Sequence, residues 1–441
     1  MKGTIRSAII RAVPALAAAS AIFLWCGQAQ AGPAPSYRVL HTFCARGFTC
    51  PEGANPASDQ LVRDAGGDLF GTAESGGQSG DGTIYELVPK HGGARYFKKV
   101  LRTFCVTSKC STGGHPFSGV IKDTAGNLYG TTPSGLSACG TVYEAVLSGG
   151  KYTMKLLHAF ASAGGDGCNP TGGALGYHGK DSGQLYDGTS PLFGITNAGG
   201  ANGRGAVFEL VPPKPGRKPW TEAVIYSYCQ ITGCADGHDP VGNVVMDSSD
   251  DLYVTAAEAA AGLIFELAPD GSGGFIKEPV YASATQEVFG ILRITSDGTL
   301  YGVANSGGPT GSGTLFKLVP DVGGAFDYTD LHDFCAASDC TDGANPFSIT
   351  IDQGGDIFGV AGGGPNAAPD GSPSGAGVLF RYSTGGNYSV LHNFCAEANC
   401  ADGGEPSSGL TTDGNGDVFG VTFYGGVDFS TGAGVVYELL F

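Results

Sequence analysis

Thirteen cysteines punctuate the chain, and ten of them fall in five close pairs: Cys44/Cys50, Cys105/Cys110, Cys229/Cys234, Cys335/Cys340 and Cys395/Cys400. Each pair sits in a stretch such as FCAASDCTDGANPF (334–347). Thiols at this spacing can hold a metal, exchange electrons or close a disulfide. A structural zinc needs four ligands, and each stretch offers two. A redox centre uses C-x-x-C with one perturbed thiol, and nothing would call for five copies. A local disulfide suits the glycine-rich setting, because it limits how far the unfolded loop can wander. Bridges are expected, and no metal.

A second set of polar side chains lies beside the cysteines. The residue before the proline of each stretch is Asn55, His115, Asn169, Asp239, Asn345 or Glu405. Such residues either cap their own turn or offer a ring of donors and acceptors to a polar ligand such as a glycan. His115, His238 and Glu405 depart from the usual Gly-Asn filling, which makes them the stronger ligand-binding candidates. No spacing picks out a carboxylate pair, and no G-x-S-x-G, H-E-x-x-H, Rossmann or P-loop motif is visible. The catalytic residues are left unassigned.

These residues are positioned by a repeat. LFGTA (69–73) recurs as LYGTT, LFGIT, LYVTA, LYGVA, IFGVA and VFGVT. TIYEL (83–87) recurs as TVYEA, AVFEL, LIFEL, TLFKL, VLFRY and VVYEL, and VLHTF (39–43) also has seven versions. A fourth apolar run, such as QLVRD or NVVMD, precedes each LFGTA segment. Short runs rich in β-branched and aromatic residues, bounded by Gly, Asp, Asn or Pro, are strands. Four strands repeated seven times predict an all-β, seven-bladed β-propeller. Taking QLVRD as strand A, LFGTA as B, TIYEL as C and VLHTF as D, the chain starts on a lone D strand and ends on a C strand. The last blade is therefore expected to be closed by the N-terminal strand. One domain over 32–441 results, with blades about 58–104, 117–160, 171–228, 240–283, 289–334, 346–394, and 407–441 plus 37–43. The glycine in strand B implies close approach by a neighbouring backbone. His41, His158, His332 and His392 on D, like the recurrent glutamates on C, read as inter-blade residues of the frame.

In this topology every D-to-A link crosses one face of the disc, and every close cysteine pair sits on such a link. B–C loops share that face, so Cys139 in a B–C loop can meet Cys168 in the following link. The expected bridges are Cys44–Cys50, Cys105–Cys110, Cys139–Cys168, Cys229–Cys234, Cys335–Cys340 and Cys395–Cys400. The face should be lopsided: low over blades 4 and 5, tall where blade 6 inserts GGGPNAAPDGSPSGAG and blade 7 inserts FYGGVDFSTGAG. A cleft there would be lined by His238, Glu258, Glu287 and Tyr424.

Basic MKGTIRSAIIR, an apolar run and AQA at 29–31 read as an export signal over 1–31. With 24 Lys and Arg against 41 Asp and Glu, the acidic chain repels nucleic acid. No later run is long enough for a membrane span. Paired cysteines then fit a secreted or periplasmic protein. No cofactor is expected; DGNGD (413–417) opens like a calcium loop but lacks the later bidentate glutamate, so a turn is the stronger reading and structural calcium the weaker.

The L-H-x-F strand (Leu391, His392, Phe394), the D-G-A-N-P link (342–346), G-N-L-Y-G-T-T (126–132) and G-T-V-Y-E (140–144) together resemble the GloVer tandem repeat family of exported bacterial proteins. The resemblance covers essentially the whole mature chain and implies a surface or secreted repeat protein, with no catalytic residue carried over. Members often end in an anchoring segment; stopping at Phe441, this chain is expected to be released. The function expected is an extracellular binding or scaffold module for a polymer such as a glycan or a peptide. A propeller-type polysaccharide lyase or glycosidase is the alternative.

Overall fold

Alternation decides the packing of each blade. Along strands B and C, successive side chains point to opposite faces, and both faces are apolar, so every sheet must be covered on both sides. The computed structural model describes residues 35–441 except 46–49, 57–59, 91, 107–109, 136–137, 162–164, 171–172, 215–218, 241, 259–260, 284–289, 368–374, 407–408 and 427–432. The expected export signal, 1–31, lies outside the described residues.

The strands form a seven-bladed propeller with the order A–B–C–D in each blade. Blade 1 holds Val62–Arg63, Leu69–Ser75, Thr83–Lys90 and Arg95–Thr103. In blade 3, strand A is reduced to a bridge between Gly176 and Phe193. Blade 7 holds Thr411–Thr412, Val418–Thr422 and Val435–Leu440, and Ser36–Thr42 supplies its fourth strand. That closing strand is antiparallel, with Ser36 opposite Leu440 and Val39 opposite Tyr437. Among the described residues the only helices are single 3₁₀ turns in three links, and no helix is long and apolar enough to cross a membrane.

Strand A is the inner edge because neighbouring A strands nearly touch. A Cβ on Gly119 would lie 2.6 Å from the backbone oxygen of Gln60, and one on Gly242 would lie 2.8 Å from that of Gly290. Among the described residues the buried apolar side chains fall into seven clusters, one at each blade interface.

The strand-B glycine faces an aromatic ring on strand C, not a neighbouring backbone. Gly71 is paired with Tyr85, Gly130 with Tyr143 and Gly194 with Phe208. A Cβ at any of these glycines would stand 2.5 Å from the ring or its hydroxyl. The previous blade then sets the aromatic residue ending its D strand edge-on to that ring: Phe43 to Tyr85 at 5.2 Å, Phe160 to Phe208 at 5.1 Å, Phe394 to Tyr437 at 5.3 Å. Edge-to-face pairs of this kind add about 1 kcal/mol beyond the area they bury.

A β-bulge in strand D explains the recurrent Leu-His. In every blade the C–D register slips by one residue, as at Leu391 between Val390 and His392. A bulge re-aims side chains, so Leu391 joins the apolar cluster facing blade 7 while His392 stacks on Tyr37 of that blade at 3.7 Å. The imidazole also reaches the acid of its own link: His392 Nε2 lies 2.9 Å from Asp402, and His158 Nε2 lies 3.2 Å from Asp166. Asp402 is wholly buried and accepts the backbone N–H groups of Ala396 and Glu397 at 3.0 and 3.1 Å. Frame histidines thus fasten their own link while packing on the next blade.

The links are held by six disulfides, Cys44–Cys50, Cys105–Cys110, Cys139–Cys168, Cys229–Cys234, Cys335–Cys340 and Cys395–Cys400. Both cysteines of the Cys335–Cys340 and Cys395–Cys400 bridges take positive φ, between 50° and 58°. L-residues avoid that region unless their surroundings impose it; here the bridge and bonds such as Cys335 N–H to Gly343 O (2.8 Å) impose it. Each link proline packs on the glycine that starts strand C of the preceding blade. A Cβ on Gly82 would lie 2.6 Å from Pro116 Cδ, on Gly140 2.6 Å from Pro170, and on Gly205 2.6 Å from Pro240.

Two outcomes test this frame. Gly205 has φ +101° and its Cβ would also meet the backbone oxygen of Thr196 at 2.6 Å. Gly205→Ala should cost about 3 kcal/mol in denaturant unfolding, whereas Gly273→Ala, with φ +95° and open space around it, should cost only about 1 kcal/mol. Equal costs would show that the glycine–proline contact is unimportant. The second concerns His41, whose pKa is lowered to about 3 by burial and by the charge of Lys98, Glu52 standing off at 3.8 Å. A lowered histidine contributes stability that is whole above the unfolded pKa of roughly 6.5 and is lost as pH falls from there toward 3. His41→Tyr copies Tyr226 at the equivalent place in blade 3. Between pH 7 and pH 3 the wild-type chain should lose on the order of 4 kcal/mol more than this variant; parallel profiles would refute the assignment.

Candidate functional site

The pre-proline residues of the link face have a shared backbone duty. Asn55, His115, Asn169, Asp239, Asn345 and Glu405 all take φ between 45° and 59°. Each N–H crosses to the B–C loop of the preceding blade, bonding the carbonyls of Ala433, Asp81, Cys139, Arg204, Ser312 and Ala376 respectively at 2.7–2.9 Å. Asparagine and aspartate tolerate this conformation better than most residues. Asn55 and Asn345 also give their side-chain amides to Phe423 O at 3.1 Å and Asn305 O at 2.9 Å. Glu405 holds the same strained backbone with a longer side chain, a departure that points toward function.

The candidate residues form three groups. His115 Nε2 lies 3.4 Å from Asp81, with the imidazole 46% exposed. His238 Nδ1 lies 3.1 Å from Asp239, which Arg204 also approaches at 3.2 Å. The His238 backbone bridges Ala257, the neighbour of Glu258 at the end of Leu252–Glu258; the Glu258 side chain and all of Glu287 lie outside the described residues. Glu405 O accepts the N–H of Phe423 at 3.0 Å, and Tyr424 bridges Gly404 with its ring edge-on to Phe423 at 4.8 Å. His238 and Asp239 are thus brought together, as are Glu405 and Tyr424. His115 and His238 each bond within their own group.

Two further residues belong with this face. Phe117 and Phe347 directly follow the link prolines of blades 2 and 6 and are 42% and 43% exposed. They are not among the candidates read from the sequence; the available signal was an aromatic at a position held by Ala57, Thr171, Val241 or Ser407 in other links. A groove of about 390 Å³ lies elsewhere, on the rim of blade 3, lined among others by Asn202, Val224, Tyr226 and Gln230.

Among the described residues, two groups carry metal-ligand residue types within 4.8 Å of one another. In the first, Asp81 stands beside Cys105 and Cys110, whose sulfurs are spent in their bridge. The second is His158, Asp166 and Glu222, at the interface of blades 2 and 3. Burial, and then the charge of Asp166, pushes the Glu222 carboxyl up to about 7. Asp166 is held below its usual range: burial opposes this, but His158 and the N–H groups of Ala161 and Gly167 outweigh it. DGNGD is a turn, with Asp413 accepting from Asn415 N–H at 2.8 Å and facing Arg63 at 3.3 Å.

No curated protein matches the chain. Among solved structures, the extracellular domain of a protein described as a hybrid two component system from B. thetaiotaomicron superposes with a TM-score of 0.53 at 10% identity, over 91% of this chain and 39% of that one. This chain thus spans about two fifths of that neighbour's length, and the likeness concerns the fold alone. A gluconolactonase from Xanthomonas campestris (TM-score 0.39, 15% identity, 72% of this chain and 82% of that one) carries no argument. Nor does the PQQ-bound aldose sugar dehydrogenase from Streptomyces coelicolor (0.42, 16%, 75% and 93%). A family profile described as the Gloeobacter/Verrucomicrobia repeat matches residues 180–437, more than half of the sequence. With its seven blades closed by the N-terminal strand, the chain belongs to the Gloeobacter/Verrucomicrobia repeat family.

Proposed function

We propose that this protein is an exported propeller whose link face binds an extracellular polymer, a glycan in the first instance. The observation that supports this reading is the two exposed rings, Phe117 and Phe347, each directly after a link proline. The C–H face of a pyranose packs on such a ring, and its hydroxyls need donors and acceptors nearby. His115 with Asp81, and Arg204 with Asp239, supply both on the same face. Binding sites commonly combine aromatic area with a few placed polar groups. The net charge of −17 argues for a neutral or cationic glycan over an anionic one. Six disulfides suit the oxidising setting of a secreted or periplasmic protein.

The test is a glycan array followed by titration calorimetry on the strongest neutral hit. The Phe117→Ala/Phe347→Ala double variant should bind about tenfold more weakly or worse, a loss of roughly 1.4 kcal/mol, with its melting temperature preserved. Unchanged affinity would overturn the reading. A parallel assay for new reducing ends and unsaturated products covers the alternative. Turnover that disappears in His238→Ala or Glu258→Gln would replace a binding module with a carbohydrate-active enzyme.

A further inference from the structure

One position of strand D, two residues before the bulge pair's first partner, repeats a single device. Tyr37, Lys98, Lys277 and Tyr388 occupy it at four blade interfaces. Each reaches back to the preceding link and donates to the main-chain carbonyl of its acid: Tyr37 to Asp402 O at 2.5 Å, Lys98 to Glu52 O at 2.5 Å, Lys277 to Asp236 O at 2.9 Å and Tyr388 to Asp342 O at 2.6 Å. In blade 3 the residue is Glu222, facing Asp166 of the preceding link and His158 of the preceding D strand. A carboxylate cannot donate. It also brings a second negative charge to a place where those four interfaces put a phenol or a cation.

We propose that His158, Asp166 and Glu222 form a zinc site that ties blade 3 to blade 2. Their ligating atoms lie within 4.8 Å of one another. Around a zinc ion with bonds of about 2.0–2.1 Å, ligand atoms stand roughly 3.3 Å apart, so a small inward movement of the side chains closes the set. A separate observation points the same way. Glu222 Oε1 is shut off from solvent and has no hydrogen-bond partner among the described residues, which a cation would remedy. Asp166 is already oriented, since Ala161 N–H reaches its Oδ2 at 2.8 Å and Gly167 N–H its Oδ1 at 2.7 Å; such outer contacts hold a ligand in place for a metal. One imidazole with two carboxylates, and a water as fourth ligand, is a zinc donor set. Calcium would want six to eight oxygens.

Among the described residues the combination is confined to this interface. Where His332 and His392 face their link acids, the third position is Tyr388 or Tyr37. Where His41 faces Glu52, it is Lys98. The link from blade 2, like the one from blade 4, lacks a local cysteine pair, and it is bridged by Cys139–Cys168 instead.

The test uses the untagged full chain, freed of metal by chelation and titrated with Zn²⁺ by calorimetry and thermal unfolding, with Ca²⁺ and Mn²⁺ in parallel arms. One equivalent of Zn²⁺ should bind and raise the melting temperature, and Ca²⁺ should do neither. Glu222→Gln should weaken Zn²⁺ binding by about 100-fold. Glu222→Tyr, which installs the phenol of Tyr37 and Tyr388, should fold at least as stably as the metal-free chain and show no Zn²⁺ response. Absence of stoichiometric binding, or binding that survives both substitutions, would overturn the proposal. A response to Mn²⁺ equal to that of Zn²⁺ would overturn the choice of zinc.

Discussion

Closure of the sheet ring by Ser36–Thr42 on Val435–Leu440 is the constraint on which the other contacts depend. An uncovered strand edge exposes a row of unpaired backbone groups and invites association with other chains. Here the closing strand does more than cover an edge. Tyr37 stacks on His392 and donates to the Asp402 carbonyl, so it also completes the interface between blades 6 and 7. Arg38 pairs with Glu438 across the closing strands. On the far side of the blade, a Cβ on Gly434 would lie 2.7 Å from Pro56 Cδ, the same contact that joins most other neighbours. Residues at opposite ends of the sequence thus share one blade and two interfaces.

The repeat consumes most of the residues that look chemical. Histidines on strand D, acids in the links, glycines before strand C and the link prolines each serve a neighbouring blade. What remains for ligands are the places where one blade departs from the others: a phenylalanine after a proline, a glutamate in a left-handed position, a carboxylate where a phenol belongs. In a fold whose regular positions are committed to packing, irregular positions are the ones free to specialise.

The blade count and the closure were legible because each strand carries its own apolar signature and the leftover strands complement each other. The Cys139–Cys168 pairing followed from loop parity, since B–C loops and links emerge on one face. Other features were hidden for physical reasons. A bulge leaves the spacing of Val, Leu and His unchanged while turning a side chain over, so the partner of His392 could not be read from alternation. The strand-B glycine announces a close neighbour without saying that the neighbour is an aromatic ring. Left-handed backbone at His115 and Glu405 has no compositional mark. Glu222 lay unnoticed within TEAVIYSY, because its meaning appears only when Tyr37 and Lys98 are aligned on it in space.

Hydrogen–deuterium exchange over the peptide spanning residues 36–42 tests ring closure most directly. If that segment is the fourth strand of blade 7, its amides are protected to the level of strands B and C in the same blade. Exchange within seconds, as in an unpaired chain terminus, would contradict the account.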